Sequence, residues 1–204
     1  MAIYRNKINK RQLEIRLQGL MLPENYDINL EQYPTDASSA SSIIISAYLN
    51  GDILNKRVAD LGCGYGVFAI GASLMGALES KGFDIDQEMI ELSVKNNEIA
   101  GASARFFNMD VSKIDETFDT VIMNPPFGSV IRGSDMKFLE KALEISKNIY
   151  SIHNARAYDF IRKFYTENAE IMDESFMSIE IPRIYKHHRH DRYKIDSVIF
   201  YVKN

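Results

Sequence analysis

The apolar positions of this 204-residue chain recur with two periods, and their alternation lays out the elements. In Asn6 to Met21, the residues Leu13, Leu17, Leu20 and Met21 stand at helical spacing. That spacing predicts an amphipathic helix ended by Pro23, an appendage to the core that follows. A polar loop, Leu30 to Asp36, runs into the apolar-rich segment Ala37 to Leu49, closed by Asn50-Gly51. This is a second helix, with Asp36 or Ser38 as its cap. Beyond it, β-forming runs predict strands at Arg57 to Leu61, Leu78 to Asp84, Ala104 to Met109, Phe118 to Met123, Asn148 to Ile152, Ile171 to Ile181 and Lys194 to Val202. Helices are expected at Val67 to Met75, Gln87 to Ala100, Met136 to Ser146 and Ala155 to Asn168. Strands alternating with helices imply an α/β fold with a mainly parallel sheet covered on both faces. The two consecutive strands at the end imply an antiparallel hairpin on its edge.

In such sheets ligands bind beyond the carboxyl ends of the strands, where the strand order reverses. Four strand ends therefore matter. After the first comes Asp60-Leu61-Gly62-Cys63-Gly64-Tyr65-Gly66, where glycines allow sharp turns and close approach of a ligand to the backbone. The third glycine stands one position too early for the dinucleotide fingerprint, so a ligand without phosphates at this loop fits better than a pyrophosphate. Asp60, Gly62 and Gly64 are the candidate binding positions. The second strand ends in Asp84, about 20 residues past the loop, a spacing suited to accepting hydrogen bonds from two ribose hydroxyls; Asp86 reads as the cap of the helix beginning at Gln87. The third ends in Asp110, an acceptor for an adenine amino group or a solvated turn residue. The fourth runs into Asn124-Pro125-Pro126-Phe127. Each proline holds the residue before it extended and lacks an N–H, so this turn offers acceptors and hardly any donors. The amide oxygen of Asn124 and a backbone carbonyl can converge on one amino group while Phe127 covers a flat ring; the plainer alternative is a rigid turn with a buried Phe.

Composition narrows these readings. With 46% hydrophobic and 25% charged residues the chain is ordinary for a globular protein, and its single cysteine, Cys63, excludes an internal disulfide. The basic start lacks the apolar core of a signal peptide and no run has membrane-span length, so a cytoplasmic protein is expected. A formal net charge of -4 argues against binding nucleic acid by overall charge. Local patches remain: Arg5, Lys7, Lys10, Arg11 and Arg16 near the start, and Arg183, Lys186, Arg189, Arg192 and Lys194 with His187, His188 and His190 near the end. No cysteine or acidic ligand pair accompanies the histidines at zinc spacing, so no metal site is expected. His153, after the fifth strand, reads as a structural histidine.

Taken in order, Glu31-Gln32-Tyr33-Pro34-Thr35, Asp60 to Gly64, Gly82 to Asp86, Phe118 to Gly128, Asp135-Met136 with Phe138-Leu139, and Tyr150-Ser151-Ile152-His153 resemble the methyltransferase-like five family. The resemblance covers most of the chain. It implies a Rossmann-like seven-stranded sheet in a single S-adenosylmethionine-dependent methyltransferase domain over residues 1–204, with 1–50 a helical extension and an enclosing loop. It further implies N6 methylation of an adenosine in small-subunit ribosomal RNA. Asn124, Pro125, Pro126 and Phe127 would be catalytic; Gln32 and Thr35 would enclose the methionine end of the cofactor; Tyr33 would lie near the transfer site; Lys186, His188 and Arg189 would meet RNA. A small zinc-binding activator would cap the edge strand Ala104 to Met109, which Phe106-Phe107 make apolar. The chain departs from the family's pattern in Gly128 to Asp135 and Tyr185 to His190. The same cleft also suits a protein glutamine or a DNA adenine, and a third reading is an idle RNA-binding assembly factor.

Overall fold

The computed structural model describes residues 8–27, 30–127, 134–182 and 192–204. Seven strands form one sheet: β1 (Arg57–Leu61), β2 (Glu79–Asp84), β3 (Arg105–Asn108), β4 (Phe118–Met123), β5 (Ser146–Asn154), β6 (Glu170–Pro182) and β7 (Arg192–Lys203). Their order is β3-β2-β1-β4-β5-β7-β6. The first five run parallel, and β7 lies antiparallel between β5 and β6. Residues alternate between the two faces of each strand, so the sheet separates two cores. Val58, Ile122, Tyr150 and Ile152 pack under α1 (Lys10–Gln18), α2 (Ala37–Leu49) and α3 (Val67–Leu74). Ala59, Leu61, Val121, Met123 and Ile149 pack under α5 (Ser134–Ile145) and α6 (Tyr158–Asn168). Helix α4 (Gln87–Ala100) leans on β2 and β3. The order reverses at β1, whose neighbours are β2 on one side and β4 on the other.

The first helix departs from expectation. It starts with a reciprocal capping box, in which Asn9 accepts from the Gln12 N–H and the Gln12 side chain accepts from the Asn9 N–H, and it ends at Gly19, before Pro23. Nor is it an appendage. Leu13, Leu17 and Leu20 are buried in the core shared with α2 and α3, in one cluster with Ala40, Ile44 and Ala47 of α2. The cap of α2 is Asp36, which accepts from the Ser39 N–H.

Two strands also differ from their predicted form. β5 begins at Ser146, directly after α5, two residues before the expected start. On β3, Phe106 and Phe107 do not present an apolar edge. They point to opposite faces, Phe106 against the backbone of Gly66 and Gly82 and Phe107 stacked on Phe83 with ring centroids 5.4 Å apart. What β3 leaves open is its outer backbone edge. At the other side, β6 and β7 stay paired from Ser178 with Asp196 to Pro182 with Arg192, past the end of β5 at Asn154. This two-stranded arm is tied to the N-terminal loop by the Glu180 N–H, which donates to Asp36 at 3.1 Å.

Because α1 belongs to the core, Leu17→Ala should lower unfolding stability by about 2–4 kcal/mol. Exposed Ile15→Ala on the same helix should change it by less than about 0.5 kcal/mol. Urea denaturation of both variants checks this; equal small effects would make the helix an appendage after all.

Candidate active site

The glycine loop after β1 turns on three left-handed residues, Gly62, Gly64 and Gly66, with φ of 67°, 50° and 91°. A side chain at Gly64 would meet nothing within 4 Å, so glycine is needed there for the backbone conformation. Four of the five N–H groups from Gly62 to Gly66 are consumed internally. Gly62 and Cys63 donate to the Phe83 carbonyl, Gly66 donates to the Cys63 carbonyl, and Gly64 donates to the Asp84 carboxylate at 2.8 Å. A phosphate cradle needs such donors free, so the loop is built for a ligand without phosphates. Asp84 also accepts from the Asp86 N–H at 3.0 Å, and burial raises its pKa. Asp60 sits beneath the loop and does not line the cavity above it. Gly66 has no side chain with which to cap α3, and Asp60 reaches across from β1 to accept from the Ala69 N–H at 3.0 Å. Its other oxygen has no partner among the described residues, and burial pushes the carboxyl up to about 8.

Above the loop lies a cavity of about 370 Å³ between the ends of β1, β2 and β4 and the N-terminal loop. Gln32, Tyr33, Thr35, Gly62, Gly64, Asp84, Asp110, Asn124 and Pro126 all line it; Pro125 and Phe127 are not among the lining residues. Asp110 uses one oxygen to accept from the Ser112 N–H and hydroxyl, which hold its pKa down. Glu31, Asp84 and Asp110 make the wall acidic, with Lys137 as a cation on the lining; such a wall suits a positively charged ligand. The N-terminal loop is fastened at both ends. The Gln32 side chain accepts from the Asp27 N–H and donates to Asp86 at 2.7 Å. The Thr35 carbonyl accepts from the Tyr65 hydroxyl.

Asn124 joins this loop to β4. Its Nδ2 donates to the Tyr33 carbonyl at 3.3 Å and to Thr35 Oγ1 at 3.0 Å. Its Oδ1 is buried and has no hydrogen-bond partner among the described residues. A buried acceptor left unmatched in the protein is costly unless something else fills it. Beside it the rings of Tyr33 and Phe127 stack at 5.7 Å and 15°.

Sequence reasoning missed two contributors. Asp86 is the expected helix cap, accepting from Glu88 at 2.9 Å, and it also holds Gln32; only contact across 54 residues reveals that second role. Tyr65 occupies a variable position of the glycine motif, with no signal in the spacing. Lys186, His188 and Arg189, with His187 and His190, lie outside the described residues. His153 does not reach the cavity. It is buried edge-on to Tyr165 and Phe200, its Nε2 without a partner among the described residues, and burial drives its pKa down to about 3.

Fold and cavity together define a Rossmann-like methyltransferase that uses S-adenosylmethionine. The chain belongs to the methyltransferase small domain family, which matches residues 35–150. It is 36% identical over 194 residues to the rRNA N(6)-adenosine-methyltransferase METTL5 of Danio rerio, covering 88% of this chain and 91% of that protein. It is 36% identical over 168 residues to the rRNA N(6)-adenosine-methyltransferase Mettl5 of Drosophila melanogaster, covering 77% and 78%. Among solved structures, PH1948 from Pyrococcus horikoshii superposes with a TM-score of 0.89 at 38% identity over 96% of this chain and 98% of that one. Among the described residues no helix is long and apolar enough to cross a membrane.

His153 yields a pH test. Its folded pKa lies below the ordinary 6.5, so the folded state binds fewer protons and the stability it contributes is present above pH 6.5 and lost as pH falls towards 3. The unfolding free energy of His153→Phe minus that of the parent protein should therefore rise by up to about 1.4 kcal/mol per pH unit on acidification below 6.5, and stay level above it. Taking the difference removes Asp60, whose raised pKa acts with the opposite sign. Urea midpoints across that range measure it; a flat difference would mean that His153 takes up a proton as readily in the fold as in the unfolded chain.

Proposed function

We propose that the protein transfers a methyl group to N6 of an adenosine in RNA, with small-subunit ribosomal RNA as its substrate. The observation that carries this is the buried, unpartnered Oδ1 of Asn124 at the edge of the cavity. An exocyclic amino group is the donor that would satisfy it. The names of the METTL5 relatives agree with adenosine in ribosomal RNA as that amine's source.

The residues present suit S-adenosylmethionine. Asp84 keeps a lone pair on each oxygen for the ribose hydroxyls, Asp110 has an oxygen free of Ser112 for the adenine amino group, and Gln32 closes the loop over the methionine end. Asp60 supports the glycine loop from below. The cofactor supplies an already activated methyl, so the protein's share is positioning and charge accommodation. The N6 lone pair is delocalised into the ring and weakly nucleophilic. Asn124 Oδ1 and the Pro125 carbonyl accept from its two hydrogens, favouring a pyramidal nitrogen and stabilising the positive charge that develops there. Phe127 and Tyr33 take the base between them. At their present centroid spacing of 5.7 Å the two rings stack on each other, so the pair must part to admit a base. The β6–β7 arm, with Lys186, His188 and Arg189 beyond its described part, supplies the RNA contacts. We extend the reading to a partner: the open backbone edge of β3 receives a strand from a small zinc-binding activator in a cytoplasmic complex.

Labelled S-adenosylmethionine incubated with ribosomal subunits, free RNA, DNA and protein extract should mark small-subunit RNA; label on protein or DNA would redirect the reading. Asn124→Ala should lower methyl transfer by about 10²–10³ while calorimetry finds cofactor affinity nearly intact. Asp84→Ala should do the reverse, weakening cofactor binding by about 10–100-fold, the worth of hydrogen bonds to a charged group. A fully active lone monomer in multi-angle light scattering would remove the activator.

A further inference from the structure

We infer that Tyr26 is a further cofactor-binding residue: its hydroxyl donates to the carboxylate at the methionine end of S-adenosylmethionine. This rests on the proposed seats of the cofactor, with its adenine at Asp110 and its ribose at Asp84. The cofactor carries one anionic group, and the cavity wall is poorly suited to it. Glu31, Asp84 and Asp110 oppose an anion, and the cation on the lining, Lys137, stands by Asp110, whose pKa its charge helps to lower. Lys137 is thus at the adenine end. The methionine runs the other way from the ribose, along the glycine loop toward the N-terminal segment, and its carboxylate must be met there by neutral donors.

Most donors at that end are already spent. The N–H groups of the glycine loop other than that of Tyr65 are bonded within the protein. The Gln32 amide is engaged by both Asp27 and Asp86, and the Tyr65 hydroxyl donates to the Thr35 carbonyl. Tyr26 differs. It lines the cavity, and its hydroxyl has no hydrogen-bond partner among the described residues. Burial alone raises its pKa to about 12, so it stays a neutral donor. A desolvated hydroxyl left unmatched is costly until an acceptor arrives. It also lies near the hydroxyl of Tyr65, close enough that a charge on Tyr26 would raise the pKa of Tyr65. A carboxylate takes several donors, and the Tyr65 N–H and the Thr35 hydroxyl proton remain for its other lone pairs.

The position of the Tyr26 ring is set from both sides. Asn96, buried on α4, accepts from the Met21 N–H at 2.7 Å, and its Nδ2 donates to the Met21 carbonyl at 3.0 Å and to the Tyr65 carbonyl at 2.9 Å. One side chain therefore ties the segment that carries Tyr26 to the glycine loop. On the far side, Gln32 holds the Asp27 N–H at 2.8 Å. Pro23 stiffens the chain between the two ties.

Tyr26→Phe keeps the ring and removes only the hydroxyl; decarboxylated S-adenosylmethionine keeps every part of the cofactor except the carboxylate. Calorimetric titration of the full chain with each ligand separates contact from packing. The variant's dissociation constant for S-adenosylmethionine should rise about tenfold or more over the parent's, as for the loss of a hydrogen bond to a charged group, and that for the decarboxylated ligand should stay within about twofold. Equal losses for the two ligands would make Tyr26 a packing residue of the loop, and no loss for either would remove it from the site; each result overturns the inference. Asp84→Ala, titrated alongside, should weaken both ligands. If it weakens neither, the proposed seat of the ribose is wrong and the inference falls with it; if it weakens both while Tyr26→Phe matches the parent, the role of Tyr26 alone fails.

Discussion

The site depends on β1 being paired on both sides, with β2 and with β4. A right-handed crossover places successive parallel strands to one side, and only a return to the other side of the starting strand opens a crevice between the loops. Asp84 at the end of β2 and Asn124 at the end of β4 thus flank the glycine loop from opposite directions. Each then uses its polar atoms in two senses. Asp84 accepts from the loop below and lines the cavity; Asn124 donates to the N-terminal loop, and its acceptor has no partner among the described residues. The stiffness of the sheet fixes the distance between the two groups without either touching the other.

Much of this was readable in the chain because local chemistry decided it. β1, β4, α2 and α4 stand at their predicted limits, since each is bounded by a strong signal: Gly62 after β1, the paired prolines after β4, Asp36 before α2, Asp86 and Gly101 around α4. The positions of Asp84, Asp110 and Asn124 at strand ends follow from the same periodicities. What escaped was decided at long range. The spacing of Leu13 and Leu17 predicts an apolar stripe but not its counterpart on α2, so α1 read as an appendage. Phe106 and Phe107 are adjacent on a strand, and period two sends them to opposite faces; reading them as an apolar edge treated neighbours in sequence as neighbours in space. The grips of Asp86 on Gln32 and of Tyr65 on Thr35 join segments tens of residues apart and leave no mark in composition.

The N-terminal loop shows why those long-range contacts matter more than their number. Along residues 31–36 it touches, in order, the end of β2 through Gln32, the end of β4 through Tyr33 and Thr35, the glycine loop through Tyr65, and the β6–β7 arm through Asp36. A loop with one such contact would fray locally; one with contacts at each end and in the middle opens only by losing several together. The energy to do so is modest, because individual hydrogen bonds contribute about 0.5–1.5 kcal/mol each.

An amide at position 124 suits this arrangement better than a carboxylate would. A carboxylate has acceptors at both ends, and one end would face the Tyr33 carbonyl, oxygen against oxygen, in a place too buried for water to mediate. It would be driven toward its protonated form, as burial drives Asp60. The cavity beside it already carries Glu31, Asp84 and Asp110, and a further negative charge would be opposed by all three. A neutral side chain with a donor on the protein side and an acceptor on the substrate side avoids both costs and needs no proton to change hands. The choice of Asn over Asp at the head of the Pro-Pro turn is therefore set by what the N-terminal loop presents to it as much as by what the substrate requires.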